Sequence, residues 1–267
     1  MNHLLRGHAP ITEEGWEFVD TEARRQLVAA LAARKLVDFS GPHGWQHSAV
    51  NLGRTTPLGR SATSGVRGQL RRVLPLTELR SDFSVSRTEL LDADRGAEDI
   101  DLEDLMGAAR RVAMAENVAV FHGWEEAGIV GITQATTHEK IELGNNYADY
   151  PSPVAKAVEA LLEVGVSGPY GLALGPASYT GVVETTEHGG LVVFDHLHQI
   201  LGGPIVWAPG VEGAVVVSLR GGDFLFESGE DLSVGYLSHD AENVSLYFEE
   251  SFTFRVVTPE AGVALSS

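Results

Sequence analysis

The sequence predicts an α+β protein whose body is extended rather than spherical, and three observations carry that reading. Over residues 244–257 the chain reads V-S-L-Y-F-E-E-S-F-T-F-R-V-V. Val244, Leu246, Phe248, Phe252, Phe254 and Val256 fall on one parity, and Ser245, Glu249, Ser251, Thr253 and Arg255 on the other. Period two marks a half-buried β-strand. Fourteen residues at about 3.3 Å each reach roughly 46 Å, two to three times the usual strand length. The second observation is an apolar stripe at helical spacing over residues 102–124, which at about 1.5 Å per residue spans roughly 34 Å. The third is an alternation of helix and strand patterns over 133–213, set between that helix and the terminal strands.

Taken in order, Thr12 reads as an N-cap with Glu13 and Glu14 in the first turn. Trp16, Val19, Ala23, Leu27, Ala30, Leu31 and Arg34 then recur every three or four residues, which predicts one helix running to about Arg34. Residues 49–77 are rich in Gly, Arg, Thr and Ser, with weak alternation over 66–76, and predict a long hairpin with little core of its own. Phe83 and Val85 mark a strand. The long helix follows, with Gly128–Gly131 expected to close it. Ser152 as N-cap and Pro153 at the first helical position open the next helix. A strand at 170–174 and short helices at 177–185 and 192–201 complete the inserted unit. Apolar runs at 205–208, 214–219, 224–226 and 232–237, separated by Gly- and Asp-containing turns, predict an antiparallel meander leading into the long strand.

With 43% hydrophobic residues the chain can build a core, and it has no cysteine, which excludes disulfides and thiolate chemistry. No apolar run is long enough for a transmembrane helix, and the start lacks a signal-peptide core, so a cytoplasmic protein with no membrane partner is expected. The net charge of −18 argues against general nucleic-acid binding. That charge is uneven. Residues 1–90 carry 12 Arg/Lys against 9 Asp/Glu, and residues 91–267 carry 7 against 28. Seven arginines lie within 54–87, against only Glu78 and Asp82. A basic arm on an acidic body suits contact with a neighbouring copy.

No phosphate-binding loop, dinucleotide fingerprint, nucleophile elbow or zinc-protease motif occurs. Ser178, His188 and Asp195 make a triad only on paper, because Gly175-Pro176 reads as an ordinary helix start. His196 and His198 are two apart on a helix and point away from each other. His43 and His47 have metal-compatible spacing but no carboxylate close in sequence. Glu125-Glu126 and Glu249-Glu250 read as solvated faces. No catalytic residue, metal or cofactor is expected.

The remaining signals are matched sequences. Gly221-Gly222-Asp223-Phe224, Gly229–Tyr236 and Phe248–Phe254 resemble the C-terminal third of the encapsulin shell proteins. Trp16, Arg34-Lys35, Val37-Asp38, Gly41-Pro42, Gly44-Trp45, Gly168-Pro169-Tyr170 and Glu187-His188-Gly189 extend the resemblance over nearly the whole chain. The resemblance implies the tailed-phage major-capsid fold of the Hong Kong phage type. Its P-domain would take residues 1–48, 78–133 and 214–267, its E-loop 49–77 and its A-domain 134–213. It implies a self-assembling icosahedral shell that encloses enzymes tagged by a C-terminal peptide, such as a dye-decolourising peroxidase or a ferritin-like protein. Thr88 stands where some members place a flavin-stacking aromatic, so no flavin is expected.

By the same resemblance, Leu27, Leu31, Arg34 and Asp38 meet Asp231, Leu232, Val234 and Tyr236 on the inner wall as a cargo-peptide groove. Thr185, Thr186, Glu187, His188, Gly189 and Gly190 form a fivefold pore loop. Arg54, Arg60, Arg67, Arg71 and Arg72 contact adjacent subunits. The rival readings are a phage major capsid protein, which would normally carry a scaffolding segment first, and a stand-alone hydrolase or protease.

Overall fold

Thr12 starts the first helix as expected, its hydroxyl accepting the Gly15 N–H at 3.0 Å. The protein was analysed as a computed structural model that describes residues 3–59, 63–187 and 190–266. In chain order its elements are α1 (Glu13–Ala30), β1 (Asp38–Ser40), β2 (Ala49–Pro57), β3 (Gln69–Pro75), β4 (Thr77–Ser86), α2 (Arg87–Asp94) and α3 (Glu103–Phe121). Then come α4 (Ile132–Ala135), β5 (Ile141–Glu142), α5 (Pro151–Glu163), β6 (Tyr170–Leu174), α6 (Pro176–Glu184) and α7 (Val193–Leu201). The chain finishes with β7 (Ile205–Trp207), β8 (Ala214–Ser218), β9 (Phe224–Ser228), β10 (Ser233–His239), β11 (Asn243–Val256) and β12 (Gly262–Ser266).

The fourteen-residue strand β11 organises the first sheet. One edge of it pairs with β4 from Asn243 to Phe252. Its other edge is shared in succession by β10, over Val244–Glu249, and by β9, over Phe252–Val256. Short β1 adds to β9 in parallel. The expected meander is therefore corrected. β9 and β10 lie end to end along one edge of β11 instead of pairing with each other, and the runs at 205–208 and 214–219 belong to a different sheet. That second sheet has the order β5-β12-β8-β6-β7, so β12 leaves the first sheet to pair with β8. Buried apolar runs of four or five residues look alike in sequence, and their partners lie too far along the chain to be read from turns.

The half-buried expectation for β11 also needs correction. Its even face joins two cores. Val244, Leu246 and Phe248 pack with α1, α3 and β4, whereas Phe252 and Phe254 pack with the second sheet and α5–α7. Its odd face is covered as well: Glu249, Ser251 and Thr253 are buried. His3 reaches Glu249 at 3.2 Å, and the Ser251 hydroxyl accepts the Glu230 N–H at 2.9 Å. Glu250 lies on the even, apolar face between two phenylalanines and is fully buried, so Glu249-Glu250 is no solvated pair.

Three helix boundaries differ from expectation. α1 stops at Ala30, four residues early, because the buried Asn117 side chain of α3 meets its end. Asn117 Oδ1 accepts the N–H groups of Ala32 and Ala33, both at 3.0 Å, while its Nδ2 donates to Ala30 O and Pro209 O at 2.9 and 3.0 Å. Ala30 O is a carbonyl that the end of α1 leaves without an intrahelical partner, and the Ala32 and Ala33 N–H groups open the following 3₁₀ turn. α5 starts at Pro151, which takes the first helical position instead of Pro153, and Ser152 is not its cap. After Phe121 the chain forms a bridge between Trp124 and Ile129, so the 128–131 glycines close that turn and not the helix.

The β2–β3 hairpin forms as expected, pairing Ala49 with Pro75 through to Pro57 with Gln69, with an irregularity between Asn51 and Arg54. It is almost wholly exposed, including Leu58, Val66, Leu70 and Val73.

Candidate functional site

The site with the most construction behind it is a groove of about 420 Å³ between α1 and the segment leading into β10. Leu27 and Leu31 from α1 and its end face Leu232 and Val234, with Leu4 and Phe248 at the back. The helical period of α1 puts Leu27 and Leu31 on one stripe. Val28, one position round from that stripe, is 62% exposed at the lip. The rim is charged. Arg6 pairs with Asp20 at 2.7 Å and lies 3.9 Å over the Trp16 ring.

Arg34 and Asp231 do not stand apart as a free base and a free acid. Because Asn117 ends α1 at Ala30, the following 3₁₀ turn swings Arg34 into the body, where its side chain is 16% exposed. There Nη1 donates to Asp231 Oδ1 at 2.6 Å, Nη2 to Glu250 Oε2 at 2.7 Å, and Nε to Glu116 Oε2 at 2.8 Å. Burial alone would lower the Arg34 pKa; the Glu116 and Glu250 carboxylates outweigh it and raise the pKa. The same burial pushes both glutamates upward, Glu250 well above the usual carboxylate range because Glu116 stands beside it. Sequence reading missed both. Glu116 falls inside a helical stripe of Ala and Val, and its only signal is that a charge occupies a core position. Glu250 is betrayed by its even number.

Six of the eight expected groove residues are brought together: Leu27, Leu31, Arg34, Asp231, Leu232 and Val234. Two are not. Asp38 Oδ2 accepts the Gly222 N–H at 2.6 Å at the start of β1, outside the groove. Tyr236 gives its N–H to Leu4 O at 2.8 Å and sets its hydroxyl 2.5 Å from His239 Nδ1, so it anchors the N-terminal segment. Leu4, which the sequence reading did not include, lines the groove because of that anchor.

In the expected pore loop, Thr186 bridges Val192, and the Glu187 N–H donates to Leu191 O at 2.8 Å. The Glu187 carboxylate meets His196 Nδ1 of α7 at 2.6 Å. Thr185 takes the Val193 N–H, and Gly190 turns back onto Glu187 O. His188 and Gly189 lie outside the described residues, as does Arg60 of the hairpin. The other hairpin arginines are exposed, and Arg54 stands directly opposite Arg72, with Thr55 opposite Arg71. Like charges facing each other across a ladder weaken it, so these arginines do not serve the hairpin's own stability.

The remaining candidates resolve into structure. The Ser178 hydroxyl is buried 3.3 Å from Tyr150 Oη. His47 does find a carboxylate, which corrects the sequence reading: Glu227 of β9 lies 2.8 Å from its Nε2, and His43 turns instead to Ser40 Oγ at 2.9 Å. Among the described residues no cluster of three or more such side chains is arranged to hold a metal ion.

Comparison with known proteins adds three findings. A family model described as "encapsulating protein for peroxidase" matches residues 1–253. The type 1 encapsulin shell protein of Rhodospirillum rubrum is 46% identical over 270 residues, covering 99% of this chain and 96% of that one. Among solved structures, a virus-like particle from Pyrococcus furiosus superposes with a TM-score of 0.65 at 18% identity, covering 94% of this chain and 99% of its own. The capsid of an empty GTA particle does so at 0.55 and 16% identity, covering 89% and 90%. These likenesses establish an α+β capsid-type fold of the Hong Kong phage class.

Proposed function

The chain belongs to the type 1 encapsulin shell-protein family, and from that premise we propose that it assembles with copies of itself into a closed cytoplasmic compartment. In that reading the first sheet with α1 and α3 is the P-domain, the β2–β3 hairpin the E-loop and the second sheet with α5–α7 the A-domain, which moves β8 and β12 out of the 214–267 segment expected for the P-domain. The observation that carries assembly is the hairpin. Among the described residues it exposes both apolar side chains and arginines, and nothing else in the described part of the chain covers it. An acidic neighbouring copy supplies what it lacks, and closed symmetry leaves no hairpin unpartnered. Negative-stain electron microscopy of the purified protein tests this directly. Only small oligomers at every salt concentration would refute it.

The groove is the proposed seat of a cargo enzyme's C-terminal peptide. Its walls are aliphatic and its rim charged, which suits an extended segment with two or three aliphatic anchors. Each anchor contributes roughly 1.5–3 kcal/mol before ordering costs, so a single tail binds weakly and an oligomeric cargo with several tails is held firmly. A peroxidase or ferritin-like enzyme with a tagged tail fits this scheme. Leu31→Glu places a charge in the groove, and Asp231→Lys places a second cation against Arg34. Both variants are expected to yield empty shells when co-expressed with tagged cargo. Shells loaded to the wild-type level in both would remove the groove from the scheme. The loop at 185–190 is proposed to line a pore at the symmetry axis, with Glu187 favouring cations.

A further inference from the structure

Behind the groove lie two carboxyl groups that water does not reach. Glu116 of α3 and Glu250 of β11 are both fully buried against the one Arg34 guanidinium. Every donor they receive falls on Oε2. Glu116 Oε2 lies 2.8 Å from Nε and 2.7 Å from Nη2, and Glu250 Oε2 lies 2.7 Å from Nη2. Glu116 Oε1 and Glu250 Oε1 are buried and receive none. With Asp231, three carboxylates face one cation. Ionising all of them would leave uncompensated negative charge in the dry interior, which costs far more than retaining a proton. The two side chains lie within hydrogen-bond reach of each other, so an O–H on one can be accepted by the other.

We infer that Glu116 and Glu250 share one retained proton at neutral pH, and that this carboxyl–carboxylate pair positions Arg34 in the wall of the groove. The positioning role rests on the groove reading above; the shared proton does not. Glu116, facing two N–H groups of Arg34, is the ionised member, and Glu250, facing one, carries the proton. Burial is the first cause raising both, and the charge of Glu116 raises Glu250 further. The other charged groups facing the pair are Arg34, from the turn after α1, and Asp231, from the β9–β10 connection. The next polar side chain on α3, Asn117, is neutral. Glu249, with its neighbours His3, Arg80, Glu78 and Glu230, belongs to the opposite face of β11.

The sign follows from linkage. A carboxyl whose folded pKa is raised contributes stability that is fully present below its unfolded value, about 4.3 for glutamate. That stability is lost as pH rises through the folded value. Across that window one retained proton raises the unfolding equilibrium constant about tenfold per pH unit. Glu250→Gln cannot ionise and offers a permanent N–H to Glu116, so it removes this slope. The experiment compares wild type with Glu250→Gln and Glu116→Gln by denaturant unfolding across pH and by infrared spectroscopy of glutamate-labelled protein. Wild type is expected to show a protonated-carboxyl C=O band at pH 7 that both variants lack, and a pH slope steeper than that of Glu250→Gln by one proton. A wild-type spectrum without that band overturns the inference whether or not the variants fold, and so do superimposable pH slopes. Binding of a tag peptide to wild type is measured in parallel. A band without binding sinks the groove reading alone, and binding without a band sinks the shared proton alone.

Discussion

Replacing Asn117 with alanine tests the account of how the groove's arginine is placed. The side chain makes four hydrogen bonds to backbone, two accepted and two donated, all between buried groups. Alanine strands the N–H groups of Ala32 and Ala33, both fully buried. Each buried, unsatisfied donor costs about 1–3 kcal/mol, so two predict a loss of about 4 kcal/mol. For a domain of this size about 1 kcal/mol corresponds to roughly 2–4 °C, which puts the fall in Tm at about 8–16 °C. The assay is thermal unfolding of wild type and variant in the same assembly state, since association shifts Tm by itself. A second readout is specific to the mechanism: with the helix end released, Arg34 loses its fixed approach to Glu116 and Glu250, and tag binding weakens along with stability. An alanine variant within about 1 kcal/mol of wild type would refute the capping account, because no rearrangement inside the core supplies two new acceptors at no cost.

Three further outcomes are expected. Arg72→Glu replaces a like-charge pair with Arg54 by an opposite one, so the isolated ladder gains about 0.2–1 kcal/mol. Assembly, followed by light scattering, should nevertheless weaken, and more at low salt than at high, because exposed charges are screened beyond about 8–10 Å at physiological ionic strength; unimpaired assembly counts against the basic arm. Gly235→Ala would put a methyl 2.2 Å from a carbon of the Tyr247 ring across the β10–β11 ladder, and should cost about 1–3 kcal/mol as overpacking, while Gly222→Ala, with open space but a φ of +83°, should cost about 1 kcal/mol by strain alone. Glu187→Lys should slow cation entry into loaded shells and, by losing the 2.6 Å contact, free His196; unchanged metal uptake would remove Glu187 from any pore.

What could be read from the sequence was whatever has a local period. Thr12, the α1 stripe, the hairpin, β6 and β11 are each specified by residues within a few positions of one another. What could not be read depends on contacts across the chain. Asn117 ends a helix more than eighty residues upstream of it. Glu250 differs from Glu249 only in parity, and its burial follows from α3 and α1 closing over one face of β11. The groove's two walls were legible as an apolar stripe and an apolar run. That its charged residues are already spent on each other and on two hidden glutamates was not, because an ion pair leaves no mark in spacing. Leu4 was missed for the same reason: it enters the groove through a backbone bond to Tyr236.

β11 carries one more implication. At Phe252 it is hydrogen-bonded to β4 on one edge and to β9 on the other, and its two halves are embedded in different cores. It therefore acts as a splint. Folding one half of the subunit against the other would require breaking ladders on both edges at once, next to the point where Arg34 grips Glu250. The subunit is therefore stiff along β11 by construction. Whatever tolerance a closed surface needs is left to parts the splint does not reach, the exposed strands β2 and β3 among them.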